Sequence, residues 1–215
     1  MENTRTFPVP VWFNHFKKNM IKHISQLTGA YNDKTGAIIG TGPSLHQIKR
    51  EDFNGVDVII TINGAVKLIR NARGNIPIYT MQKDACSYNK NLSEVVWCEK
   101  CDGACWKPEP IQPEILLIHF PESIGCWPEY PLRYAWNNAD YGLPWHNPSF
   151  MACLKIMEIF GVAKIKIVSF DSCTTGSIKH INSDKEDRGY IADVELIKDS
   201  VKNCTVKNIE WITPQ

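Results

Sequence analysis

The stretch "AIIGTGPSLHQI", residues 37–48, runs from an apolar strand through a glycine-rich turn into an apolar spacing typical of a helix. Gly40 and Gly42 flank Thr41, and Pro43 is suited to the first position of a helix. Two interpretations of this turn are open. It is either a tight connection in which one glycine adopts a positive φ, or a loop whose glycines let the backbone approach phosphate oxygens.

Strands and helices alternate along the chain. Strands are predicted at 36–40, 56–64, 75–82, 113–120, 163–171 and 206–213, and helices at 65–72, 147–161 and 190–203. Continuous apolar strands separated by helices are typical of a parallel sheet that is buried on both faces. We therefore predict an α/β fold, a doubly wound and mostly parallel Rossmann-like sheet with helices on both faces.

The length of 215 residues fits a single domain, 1–215. Helical spacing of apolar residues over 9–27 predicts an N-terminal helix within residues 1–30. Residues 85–146 are predicted to be an insertion around one strand, rich in aromatic side chains and acting as a lid. These aromatic residues are Trp127, Tyr130, Tyr134, Trp136, Tyr141 and Trp145. Their rings would either stack on a sugar or base or pack the lid on the core.

Charge and hydropathy narrow the class of protein. The chain has 24 basic and 23 acidic residues, so its overall charge does not favour a polyanionic partner. No apolar run approaches the length of about 18 residues that would predict a membrane span. The first residues also lack the apolar core of a signal peptide. We expect a cytoplasmic protein.

Half of the eight cysteines form a cluster. In "WCEKCDGACW", residues 97–106, Cys98, Cys101 and Cys105 follow a C-x2-C-x3-C pattern, and Cys86 lies twelve positions before Cys98. Four thiolates at such spacing can hold a structural zinc ion. The alternative is a cysteine-rich surface insertion with free thiols. Cys153, Cys173 and Cys204 are expected to be reduced and to lie in the core or at its margin.

The carboxyl ends of parallel strands share one edge of the sheet, where ligands bind in doubly wound folds. The set of residues that we place at this edge is rich in small polar groups, and it predicts a nucleotide pocket. Its members are Gly40, Thr41, Gly42, Pro43, Ser44, Asn63, Gln82, Lys83, Asp84, Asn147 and Ser149. Leu45 stands where a dinucleotide fingerprint needs its third glycine, and the chain has neither a P-loop lysine motif nor a G-x-S-x-G elbow.

"IIGTGPSLHQI" followed by "VIITING" resembles the bacterial sialyltransferases of glycosyltransferase family 42. It equally resembles a wider group of Rossmann-like proteins that includes the archaeal 6-hydroxymethyl-dihydropterin pyrophosphokinase. The later segment "NPSFMACLKIMEIFGVAKIKIVSFD", residues 147–171, resembles the helix and strand that complete the site in those proteins. Together the matching segments cover residues 36–84 and 146–177.

This resemblance implies roles for individual residues. Residues 40–44 would line the phosphate or ribose, Asn63 would contact the nucleotide, and Ser149 would hold the base or ribose. Asp171 would lie at the rim of the site. The sequence departs from the sialyltransferases where Thr41 replaces an asparagine, and "DSCTTGSIKH", residues 171–180, lacks their tyrosines. Their catalytic base is a histidine, and His180 is the histidine found in the corresponding part of this chain.

Three functions are compatible with these features. The first is a glycosyltransferase with a CMP- or UDP-activated sugar donor, for which Asp171, His180 and His146 are the candidate bases. Its acceptor would be a glycan, a small molecule or a modified nucleic-acid base. The second is an ATP- and Mg²⁺-dependent pyrophosphokinase of a small hydroxymethyl heterocycle, with Asp84 and Asp171 as metal ligands. The third is a nucleotide-binding protein without catalysis.

Overall fold

A computed structural model describes residues 22–62, 65–69, 71–82, 95–98, 103–106, 114–118, 132–135, 138–143, 149–177, 179 and 189–215. The strands of this part are Lys22–His23 (β1), Thr35–Ile39 (β2), Val58–Ile62 (β3), Ile78–Gln82 (β4), Val95–Cys98 (β5), Gly103–Trp106 (β6), Glu114–Ile118 (β7), Leu132–Ala135 (β8), Lys164–Val168 (β9) and Asn208–Ile212 (β10). Its α-helices are Val66–Ile69 (α1), Ser149–Phe160 (α2), Asp171–Thr174 (α3) and Gly189–Asn203 (α4). Short 3₁₀ helices cover Ile24–Leu27, Pro43–Gln47, Arg50–Phe53 and Asn138–Tyr141.

Eight of these strands form one parallel sheet in the order β1-β8-β7-β4-β3-β2-β9-β10. Strands β5 and β6 form a separate antiparallel pair. Each of the six predicted strands, and each of the helices predicted at 65–72, 147–161 and 190–203, overlaps an observed element of the same type. The predicted α/β Rossmann-like fold is confirmed.

Two apolar clusters cover the two faces of the sheet. Ile38 of β2 belongs to a cluster with Phe150 and Met157 of α2, whereas Ile39 belongs to a cluster with Val66 of α1. All five side chains are buried. Because successive residues of a strand point to opposite faces, the two clusters lie on opposite sides of β2. Helices therefore cover both faces, which is why the central strands are continuous apolar runs.

The side of the sheet to which successive strands are added changes at β2. Strands β3 and β4 follow β2 on one side, whereas β9 and β10 are added on its other side. Ile39, the last residue of β2, pairs with Val168, the last residue of β9. The segments that leave these two strands therefore start side by side at the edge where ligands bind in such folds.

The C-terminal end of helix α2 is capped by a loop that lies far away in sequence. The N–H groups of Gly29 and Tyr31 donate to the carbonyls of Ile159 and Phe160 at 2.8 and 2.9 Å. Gly161 follows with φ of +77°, a conformation that favours glycine. The predicted helix end is thus confirmed. Asn147 and Pro148, the predicted start, lie outside the described residues.

The prediction for the N-terminal segment is wrong where the structure describes it. Lys22 and His23 form β1 and pair with Tyr134 and Ala135 of β8, and a 3₁₀ helix follows instead of the end of an α-helix. Ile24 is fully buried. The apolar spacing reflected this buried residue, but pairing with β8 determines the backbone conformation. Residues 9–21 lie outside the described part.

Residues 85–146 contain more sheet than the predicted single strand. Both β7 and β8 belong to the main sheet, and β5 and β6 form their own pair. Tyr141 packs against the core cluster of α2. Burial raises the pKa of its hydroxyl, and the negative charge of Asp140 raises it further. The side chains of the other aromatic residues predicted for the lid lie outside the described part of the molecule, so the lid stays a prediction.

Across the described ranges, no helix is both long and apolar enough to cross a membrane. Cys153 and Cys204 are buried thiols and Cys173 is half-buried, as expected. Burial raises the pKa of the Cys204 thiol to about 11 and also raises the pKa of Cys153.

Candidate functional site

The GTGPS turn, residues 40–44, packs against the segment that follows β9. The N–H of Gly40 donates to the Val168 carbonyl, and the N–H of Gly42 donates to the Ser169 carbonyl, both at 2.9 Å. The turn thereby continues the pairing of β2 with β9 beyond the ends of both strands. This junction is at the point where the order of strands reverses.

Both glycines of the turn are required by close packing. A Cβ atom at Gly40 would lie 2.6 Å from the Ser169 carbonyl oxygen and 2.9 Å from the Phe170 ring. A Cβ atom at Gly42 would overlap Asp171 Oδ2 and lie 2.7 Å from the Ser169 oxygen. Neither glycine has a positive φ, and Gly42 is extended at φ −69° and ψ 157°. The interpretation of the turn as a positive-φ connection is therefore wrong.

Asp171 joins the turn to the end of β9. Its Oδ2 accepts hydrogen bonds from the Ser44 N–H at 3.0 Å and from the Ser44 hydroxyl at 2.9 Å. The residue is only 3% exposed. A buried carboxylate without donors would be costly, so Ser44 is the partner that makes this position tolerable. The resemblance predicts Asp171 at the rim of the site, whereas the structure places its carboxylate beneath the turn, against Gly42 and Ser44.

Sequence reasoning missed Ser169, which connects β9 to Asp171. Ser169 has φ of 57°, in the left-handed region that residues other than glycine rarely adopt. It is 1% exposed, and its Oγ has no hydrogen-bond partner within the described ranges. Its N–H donates to the Ile212 carbonyl at 3.1 Å. The short sequence "VSFD" carries no signal for this conformation, because serine is not a residue typical of positive φ.

Aromatic contacts link the turn to the start of α2. The rings of Phe150 and Phe170 are 4.9 Å apart at 70°, and the Phe170 ring also lies against Gly40. Ser149, the first residue of α2, is partly exposed next to Phe150. The structure therefore brings Ser149, the turn and Asp171 to the same edge of the sheet.

Several predicted site residues lie outside the described residues. They are Asn63, Lys83, Asp84, His146, Asn147 and His180, together with Cys86 and Cys101. Gln82 is the last residue of β4 and pairs with Ile118 of β7. Gln82 therefore lies at the carboxyl edge of the sheet, as predicted.

Two of the clustered cysteines lie in the antiparallel pair. Cys98 is opposite Gly103, and Cys105 is opposite Val96. Opposed residues share a face and so do residues two apart in a strand, so Cys98 and Cys105 are on one face of this pair. No group of three or more potential ligands able to hold a metal occurs within the described ranges. Because Cys86 and Cys101 lie outside them, the zinc site stays a prediction.

No known protein family matches the chain, and no curated protein shows significant similarity to it. The junction between the GTGPS turn and Asp171 is therefore the feature from which we infer a function.

Proposed function

We propose that this chain is a glycosyltransferase that binds a CMP- or UDP-activated sugar at the carboxyl ends of β2 and β9. The observation that carries the proposal is the junction at the point of strand reversal. There, Gly40 and Gly42 pack directly on the end of β9, and Asp171 fixes Ser44. Doubly wound folds bind their ligands at this position.

The polar groups described at this edge are uncharged, apart from Asp171. Thr41, Ser44 and Ser149 are partly exposed, as is Ser172 in α3. Such hydroxyls suit a ligand with many hydroxyl and carbonyl groups, as a nucleotide sugar has. The first N–H groups of α2 have no acceptor within the helix and would add a favourable field for a phosphate.

Glycosyl transfer also needs a base that deprotonates the acceptor hydroxyl. Asp171 fits this role less well than expected, because its Oδ2 accepts two hydrogen bonds from Ser44 and the residue is almost fully buried. We therefore assign it the positioning of the turn and propose His180 or His146 as the base. We place the reaction in the cytoplasm, which the free thiols of Cys153 and Cys204 support.

A second candidate function is transfer of pyrophosphate from ATP with Mg²⁺. The observation that favours it is Asp171 itself, a carboxylate held in place at the site. Mg²⁺ in phosphoryl-transfer sites binds one or two carboxylates and the phosphates of the substrate. Asp171 and Asp84 would hold the ion, which would neutralise charge on the phosphates during transfer. Binding without catalysis is the third function.

Thermal unfolding with CMP, UDP, GDP and ATP, each with and without Mg²⁺, distinguishes these functions. Stabilisation by CMP or UDP without metal would support the glycosyltransferase. Stabilisation by ATP that requires Mg²⁺ would instead support the pyrophosphokinase. A chain that responds to none of the four nucleotides would contradict both.

Variants localise the response to the junction. Ser44→Ala removes the hydroxyl that donates to Asp171, and Ser200→Ala is the matched control because its hydroxyl bonds within α4, to the Leu196 carbonyl. Stabilisation by the nucleotide should decrease in Ser44→Ala and persist in Ser200→Ala. Release of sugar from a labelled donor then separates a transferase from a protein that only binds.

A further inference from the structure

The N–H groups of the GTGPS turn are almost all used within the protein. The acceptors are the carbonyls of Val168 for Gly40 and of Ser169 for Gly42, and Oδ2 of Asp171 for Ser44. Pro43 has no N–H. Among the backbone N–H groups of the turn, that of Thr41 is therefore the one that has no acceptor within the described ranges. A phosphate cradle needs several converging N–H groups, which this turn does not offer.

The charge at the turn has the wrong sign for a phosphate. The Asp171 carboxylate touches Gly42 and takes both donors of Ser44. With both donors of Ser44 on it, this oxygen has its two lone pairs occupied within the protein. Since Asp171 is 3% exposed, water screens its charge only weakly. A second anion placed against the turn would be repelled.

The same contact determines what Ser44 can offer to a ligand. A hydroxyl has one proton, and that of Ser44 is donated to Asp171. The Ser44 oxygen is therefore left as an acceptor. Ser44 is partly exposed, so the residue that carries this acceptor lies at the surface of the carboxyl edge of the sheet. A ligand group that donates a hydrogen bond, such as a sugar hydroxyl, fits it.

We infer that the GTGPS turn recognises the ribose hydroxyls of a nucleotide and not its phosphates, with Asp171 as the positioning residue that makes Ser44 an acceptor. This inference rests on the proposed function, because it concerns which part of the nucleotide lies at the turn. It assigns Asp171 a role in specificity that acts through Ser44.

Calorimetric titration of the full chain without divalent metal tests this inference. The probes are cytidine and uridine 5′-monophosphates, their 2′,3′-dideoxy analogues and the parent nucleosides. The loss of one or two hydrogen bonds should weaken binding of the dideoxy analogues about tenfold. In Ser44→Ala, this preference for ribose should fall to about twofold or less while the ratio of monophosphate to nucleoside affinity stays unchanged. Ser200→Ala should behave as the wild type.

The substitution Asp171→Asn tests whether the charge of the Asp171 carboxylate repels a phosphate at the turn. It should raise the affinity for the monophosphate relative to the nucleoside by about threefold or more, because one repulsive charge is removed. If that variant does not fold, Ser44→Ala alone decides the question. Equal binding of ribose and dideoxyribose forms by the wild type would overturn the inference and leave nucleotide binding intact. The inference would also be overturned if Ser44→Ala lowers the affinity of the monophosphate relative to the nucleoside while the preference for ribose over dideoxyribose persists. Absence of binding by every probe would overturn the proposed function as well.

Discussion

Ser44 donates both its backbone N–H and its hydroxyl to one oxygen of Asp171, although 127 residues separate the two in sequence. The contact joins the segment after β2 to the segment after β9. It also closes the space at Gly42, where Oδ2 of Asp171 lies against the glycine backbone. The packing of this edge of the sheet, and the ribose specificity that we propose for it, therefore depend on the same carboxylate.

Gly42→Ala should destabilise the protein by about 1–3 kcal/mol, because the new methyl group would overlap Asp171 Oδ2 in a packed junction. Urea unfolding measures this change in the free energy of unfolding. Gly55→Ala is the comparison: its φ is +70° but nothing lies within 4 Å, so it should lose only the backbone term of about 1 kcal/mol. A smaller loss in Gly42→Ala than in Gly55→Ala would contradict the packing argument.

Ser169→Gly should stabilise the fold by about 0.5–1 kcal/mol. Glycine adopts the observed φ of 57° without steric strain and removes a buried hydroxyl that has no partner within the described ranges. Part of this gain is offset by the greater freedom of glycine in the unfolded chain. Ser169→Ala removes the hydroxyl and keeps the strain, so it should gain less. Thermal unfolding of both variants provides the measurement, and a lower midpoint for Ser169→Gly than for the wild type is the contrary result.

The contribution of Glu158 to stability should depend on pH. Burial tends to raise its pKa, but hydrogen bonds from Lys155 and from the N–H and hydroxyl of Thr205 outweigh this effect, so the pKa of Glu158 is below its usual 4.5. A carboxyl group whose pKa is lower in the folded state stabilises the fold above the unfolded-state pKa. This contribution is lost as the pH falls through the lowered value.

Glu158→Gln isolates this effect. The difference in the free energy of unfolding between wild type and variant should be constant from pH 7 to about pH 5 and should decrease at lower pH. Denaturant titrations at a series of pH values give this difference directly. A difference that does not change down to pH 3 would mean that the ionised form of Glu158 has no advantage in the folded state.

Purified protein should contain about one zinc ion per chain if the clustered cysteines form a four-thiolate site. Elemental analysis by mass spectrometry measures this content. Cys98→Ser should reduce it, whereas Cys173→Ser is a control because Cys173 lies in α3, away from the β5–β6 pair in sequence. A wild-type protein without zinc, prepared without chelator, would favour the alternative of free thiols.

The parallel sheet could be predicted because its strands carry their signal locally. Residues 58–62 are a continuous run of β-branched side chains, and all five are buried. Helix α2 was predicted for the same reason, since its apolar spacing and Gly161 are adjacent in sequence. The edge strand β1 was not predicted, because it has two residues and depends on pairing with β8, which lies more than 100 residues away.

The candidate site was predicted in position but not in its internal contacts. The sequence indicates that residues 40–44 and Asp171 follow strands of one sheet, and this places them at one edge. It does not indicate that Asp171 points under the turn or that Gly42 is required by that carboxylate. Such requirements arise from the packing of distant segments, and the unusual backbone of Ser169 arises in the same way.

The position of β2 between β3 and β9 has a consequence for the order of folding. During synthesis, β2, β3 and β4 emerge long before β9, so one side of β2 has no neighbour until most of the chain has been made. Contacts between distant segments form slowly, and an unpaired strand edge can associate with other chains in the meantime. Pairing with β9 closes that edge and, in the same step, brings Asp171 to Ser44. Formation of the contact between Asp171 and Ser44 should therefore coincide with protection of β2 from aggregation, and completion of the sheet should be a late event in folding.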